Sequence, residues 1–105
     1  MEYRVDFSVE SIAQIDEYLA YLRRYSLATA EKYKNALQKA IETYLVESPE
    51  AFAFDWEMGA PYRAFLFKIS PHTSYWVIYR VYDDEGVVRV LRFRNAANEP
   101  GTHNL

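Results

Sequence analysis

The chain has 105 residues, a formal net charge of −3 and a half-hydrophobic composition, which fits one domain built on one core. It has no cysteine, so disulfide frameworks, thiolate metal sites and cysteine nucleophiles are excluded. The opening Met1-Glu2-Tyr3-Arg4-Val5-Asp6 lacks the basic leader and apolar stretch of a secretory signal. No uncharged run approaches the roughly 18 residues that span a bilayer, so a cytoplasmic protein with no membrane contact is expected.

Residues 2–7 alternate, with Tyr3, Val5 and Phe7 on one side and Glu2, Arg4 and Asp6 on the other. That period predicts a half-buried strand. Ser8, followed by Glu10, reads as a helix N-cap. Over residues 9–25, Ile12, Ile15, Leu19 and Leu22 form a helical stripe flanked by Tyr18, Tyr21 and Tyr25. Ser26-Leu27 is a short joint to a second helix over residues 28–46, whose apolar face holds Ala30, Tyr33, Leu37, Ala40, Ile41 and Tyr44. So short a joint makes the pair an antiparallel hairpin, and Pro49 ends the helical region.

Residues 47–61 carry Pro49, Gly59 and Pro61 without a period and read as a loop that packs Phe52, Phe54 and Trp56. Residues 62–69 alternate through Phe65, Phe67 and Ile69, and Pro71-His72 turns the chain. Residues 74–82 place Tyr75, Val77, Tyr79 and Val81 opposite Trp76, Ile78, Arg80 and Tyr82. Asp83-Asp84-Glu85-Gly86 is a hairpin loop in which Gly86 takes positive φ. Uninterrupted alternation over residues 87–94 puts Val88, Val90, Arg92 and Arg94 on one face, with Arg89, Leu91 and Phe93 on the other. The expected class is α+β, in the order β-α-α-β-β-β. One face of a small antiparallel-rich sheet carries the helix hairpin. The domain covers residues 1–94, and residues 95–105, where the pattern fails, are expected to be a flexible tail.

Charge is uneven along the chain: residues 1–61 sum to −5 and residues 62–94 to +3. The three acids of the latter segment share the hairpin loop. Salt screens exposed charges beyond about 8–10 Å, so a basic sheet face can serve an acidic partner on an acidic protein.

The chain resembles the RelE/ParE superfamily of toxins over residues 3–94. The resemblance rests on Tyr3-x-Val5-x-Phe7-Ser8 and on Ala30, Tyr33 and Leu37 in the helix hairpin. It continues through Pro49, Gly59-x-x-Tyr62-Arg63, Tyr79-x-Val81-x-Asp83-Asp84 and Val88-x-Val90-Leu91-Arg92. It implies the toxin of a type II toxin–antitoxin module, an inhibitor of growth with a role in plasmid stabilisation. A cognate antitoxin would neutralise it by binding through an extended and helical C-terminal segment. The long hairpin looks ParE-like, which implies inhibition of DNA gyrase. The alternatives are a RelE-like endonuclease that cuts mRNA on the ribosome, and an inactive relative that only binds antitoxin.

Cleavage by 2′-OH attack needs a base, an acid and cations for the phosphorane charge. Arginine supplies such cations, being always charged and bidentate to phosphate. Arg63, Arg80 and Arg92 are the candidates for that role. Arg94 joins them as a target or phosphate contact. The plainer reading is a set of solvated sheet arginines. One face cannot be both core and phosphate-binding along its whole length; one resolution is that Val88 and Val90 are buried under the helices while Arg92 and Arg94 emerge past the end of the sheet. Where the nuclease branch of the resemblance implies a Tyr or His, the chain has Asn95-Ala96-Ala97-Asn98, with no group titrating near neutrality. His72 lies in a turn and His103 in the tail, and Tyr62 or Tyr82 could substitute. This gap favours inhibition of gyrase, or another target, over the nuclease. Tyr18, Tyr21 and Tyr25 either rim the core or form a partner interface for antitoxin or a second toxin copy. With two histidines and three glycines and no suitable spacing, no metal site, phosphate loop or cofactor is expected.

Overall fold

Ser8 ends one element and starts the next. In the computed structural model, which describes residues 2–70 and 73–96, it lies between strand β1 (Arg4–Phe7) and helix α1 (Val9–Arg23). Its extended backbone lets Oγ accept the Ser11 backbone N–H at 3.1 Å, which caps the helix. Ser26 caps α2 (Leu27–Leu45) in the same way, through the Thr29 N–H. A 3-10 turn over Pro49–Ala51 follows, then β2 (Tyr62–Ser70), β3 (Thr73–Tyr82) and β4 (Val87–Asn95). The β3–β4 turn closes at Gly86 with φ 63°, a left-handed conformation that glycine adopts without Cβ strain.

The sheet order is β1-β4-β3-β2, with β1 parallel to β4 and the other pairs antiparallel. The helix hairpin returns the chain across the sheet, which makes the parallel pair possible. The architecture is the expected α+β, β-α-α-β-β-β arrangement, with both helices on one face. Pro71-His72 and the tail beyond Ala96 lie outside the described residues. The core joins Tyr18, Leu19, Leu37, Ile41 and Leu45 of the helices to Phe65, Phe67, Val77, Tyr79, Val88, Val90 and Phe93 of the sheet.

Two expectations are corrected here. First, β4 does not alternate without interruption. Ile78 pairs with Arg92 but Tyr79 pairs with Val90, so Leu91 is an extra residue. One extra residue reverses the facing of everything beyond it. Phe93 therefore joins Val88 and Val90 in the core, and Arg92 and Arg94 turn to the opposite face with Arg89. The polar groups around the bulge are met from below by α1. Ser8 N–H and Ser11 Oγ donate to the Val90 carbonyl at 2.8 and 3.1 Å. Ser8 Oγ donates to the Leu91 carbonyl at 2.9 Å, and Gln14 Oε1 accepts the Phe93 N–H at 2.7 Å. Second, the expected stripe of α1 meets the core through Ile15, Leu19 and Leu22 but not through Ile12. Ser11, Tyr18 and Leu19 are buried, while Ile12 remains 48 % exposed.

Candidate functional site

The helix-free face of the sheet carries most of the arginines. Register aligns Tyr62, Arg80, Arg89 and Asp6 across β2, β3, β4 and β1. Arg80 and Arg89 are thus directly opposed, an unfavourable pairing of like charges unless compensated. Asp6 supplies the compensation: Arg89 donates two hydrogen bonds to its carboxylate, at 2.9 and 3.2 Å. That pairing raises the Arg89 pKa further. Arg80 instead lies beside the rings of Tyr82 and Tyr62, at 4.8 and 5.9 Å, with no carboxylate within 4 Å among the described residues. Arg92 has a loose ion pair with Glu10 at 3.7 Å.

Arg94 is held by the segment that precedes β2. Its guanidinium donates to Asp55 at 2.8 and 3.2 Å and to Glu57 at 3.0 Å, and it lies 4.8 Å from the Trp56 ring. Burial alone would raise the Asp55 pKa, but Arg94 and the backbone N–H groups of Met58 and Glu57 outweigh it and hold the carboxyl below its ordinary value. The segment thereby straps the open face, over a cavity of about 180 Å³ lined by Ala53, Phe54, Asp55, Trp56, Ala64 and Trp76. The expectation that this loop packs its aromatic residues is met only by Phe52, which lies against Tyr44 and Phe65. Phe54 and Trp56 stay about half exposed and stack on arginines instead.

Arg63 pairs in register with core residue Tyr79 and so faces the helix side of the sheet. It donates to the Phe52 carbonyl at 2.6 Å and stacks 4.2 Å from the Phe54 ring. The four candidate arginines are therefore not brought together. Arg63 points away from Arg80 and Arg92, and Arg94 is enclosed by the strap. The three helix tyrosines also separate. Tyr18 is a core residue, 4.8 Å from Tyr75 and 5.8 Å from Phe93, and burial pushes its pKa up to about 12. Tyr21 and Tyr25 are 51 % and 74 % exposed.

A second feature was not foreseen. An apolar groove of about 450 Å³ runs between the two helices and β1, lined by Val5, Phe7, Ile12, Ile15, Leu37 and Ile41. It opens beside the outer edge of β1, an end strand of the sheet among the described residues. No three His, Cys, Asp or Glu residues cluster to hold a metal among the described residues. No helix there is long and apolar enough to cross a membrane.

A family model described as the ParE toxin of the type II toxin–antitoxin system parDE matches residues 5–100. The chain belongs to the ParE toxin family. A solved structure of a mutant E. coli toxin RelE in the free state is similar to this ParE-family chain at 25 % identity, with a TM-score of 0.51 over 91 % of this chain and 85 % of that one. No curated protein matches it. Family and fold agree: the chain is a RelE/ParE superfamily toxin of a type II toxin–antitoxin system, with a cognate antitoxin as its partner.

Proposed function

We propose that this toxin acts by binding, as a ParE-like inhibitor of DNA gyrase, and is not an enzyme. The dispersal of its arginines carries this reading. Cleaving RNA requires cations that converge on one phosphate, with an acid and a base in reach. Here Arg63 and Arg80 lie on opposite faces, while Arg89 and Arg94 are committed to Asp6 and Asp55. Purified toxin should inhibit DNA supercoiling by gyrase and leave mRNA intact on translating ribosomes. Unaffected supercoiling at saturating toxin would remove the gyrase target.

The groove and the β1 edge suit the antitoxin. A helical segment would lay its apolar face on Ile12, Ile15, Leu37 and Ile41, and an extended one would pair with the open edge. The RelE-like endonuclease remains the second reading, supported by Arg80 between Tyr62 and Tyr82. Cuts within codons on primer extension, abolished by Arg80→Ala, would establish it. Normal growth on expression without antitoxin would mark an inactive antitoxin-binding relative.

A further inference from the structure

We infer that the tip of the helix hairpin is the surface with which the toxin holds its target, and that the target presents an acidic protein surface there. The inference rests on the toxin reading above but not on the identity of the target. Where α1 gives way to α2, Tyr21, Tyr25 and Leu27 are 51 %, 74 % and 65 % exposed. The two rings pack edge to face at 5.3 Å, which pre-forms the aromatic surface. Arg23 and Arg24 sit between them in sequence. Neither has a carboxylate within 4 Å among the described residues, whereas Arg89 and Arg92 each have one and Arg94 has two.

Cations at a helix C-terminus complement its dipole, which accounts for Arg23 in the last turn. The dipole gives no reason for two exposed tyrosines and a leucine. Tyrosine and arginine together are the residues that anchor protein interfaces. The mounting is rigid, because Tyr18, one turn back, is fixed in the core against Tyr75 and Phe93. Charge selects the class of partner. On the adjoining turns Asp16, Glu17 and Glu31 are exposed against one lysine, Lys32, so a phosphate chain laid across the tip would meet more acids than bases beyond it. A compact carboxylate cluster on a protein can meet Arg23 and Arg24 alone.

The tip starts two residues past Leu19, at the end of the apolar groove, about 3 Å along the helix axis. An ordinary interface covers about 800 Å² of each partner. A target centred on Tyr21 and Tyr25 therefore overlaps anything seated in the groove, so an antitoxin could exclude it without touching the tip.

The test uses the full chain with two double variants, Tyr21→Ser with Tyr25→Ser and Arg23→Glu with Arg24→Glu. Each should abolish growth arrest on expression and leave the thermal unfolding midpoint unchanged. Inhibition of purified gyrase should weaken about 30-fold, as loss of an interfacial anchor implies. Arrest at the wild-type level by either folded variant overturns the proposal. Should the tyrosine variant unfold, the arginine variant decides alone, since both its sites are solvated. Binding of a short DNA duplex by the wild type, lost in the arginine variant, would assign the tip to nucleic acid and overturn the protein partner. If the wild type arrests growth without inhibiting gyrase, the gyrase reading fails and the tip is still judged by arrest. A wild type that arrests nothing removes both.

Discussion

Arg94 spans the open face of the sheet to reach Asp55, and the two side chains lock through contacts of 2.8 and 3.2 Å. The Asp55 side chain is fully buried and that of Arg94 is 13 % exposed. Removing one partner of such a pair leaves the other charge desolvated, a cost of about 3–5 kcal/mol. Arg94→Ala should fall in the lower part of that range, because the Met58 and Glu57 N–H groups still hold the carboxylate. Urea unfolding reads the loss directly. A midpoint equal to that of the wild type would mean the strap contributes nothing to stability.

The same pair sets a pH dependence. The folded Asp55 carboxyl titrates below its ordinary value of 3.8. A depressed carboxyl stabilises the fold above the unfolded value, and that stability is lost as pH falls from about 4 through the folded pKa. Tyr18 acts at the other end. Burial raises its pKa from 10.0 to about 12, so its contribution is intact below pH 10 and lost as pH rises toward 12. Thermal unfolding across pH should show both flanks. In Asp55→Asn the acid flank should flatten, and an acid flank of unchanged steepness would assign it to other carboxylates.

Most of the fold was legible because it rests on period and punctuation. Ser8 and Gly86 occur where caps and turns require them, and the strands fall where alternation places them. The facing of Arg92 and Arg94 was not legible, because a bulge leaves no mark on local composition. Its signature lies on another element, in Ser8, Ser11 and Gln14. These are polar residues three apart on a helix surface that would otherwise be apolar, and each meets a backbone group of β4. From the sequence alone Arg63 looks like a sheet-face cation, because local pattern carries no long-range information. Its register with Tyr79, which turns it toward the helices, follows only from the β2–β3 pairing. The groove escaped for a similar reason: which residue of the α1 stripe stays outside the core depends on how the helix docks on the sheet, and here it is Ile12.

This makes Gln14 the test of that arrangement. Gln14→Leu adds apolar surface facing the sheet but leaves the Phe93 N–H without its acceptor. A half-buried donor stripped of its partner costs about 1–3 kcal/mol, more than the added burial returns at a partly exposed site. The substitution should destabilise the protein and accelerate amide hydrogen exchange at Phe93 while β1–β4 exchange below the bulge stays slow. A stabilised protein would show that the Gln14 bond is incidental and that β4 holds its bulge unaided.

Ile12 separates antitoxin recognition from folding. It lines the groove yet is 48 % exposed, so Ile12→Glu removes little burial and should change stability by about 0.5 kcal/mol or less. In the complex proposed above, the same carboxylate would be sealed against the apolar face of the antitoxin helix. A charge in that setting must be desolvated without a partner. The variant should therefore arrest growth as the wild type does and should resist rescue by co-expressed antitoxin. Toxicity persists because the hairpin tip is untouched, whereas neutralisation fails because the groove no longer accepts an apolar helix. Full rescue at wild-type antitoxin levels would place the antitoxin elsewhere, and the β1 edge would then be the first surface to examine.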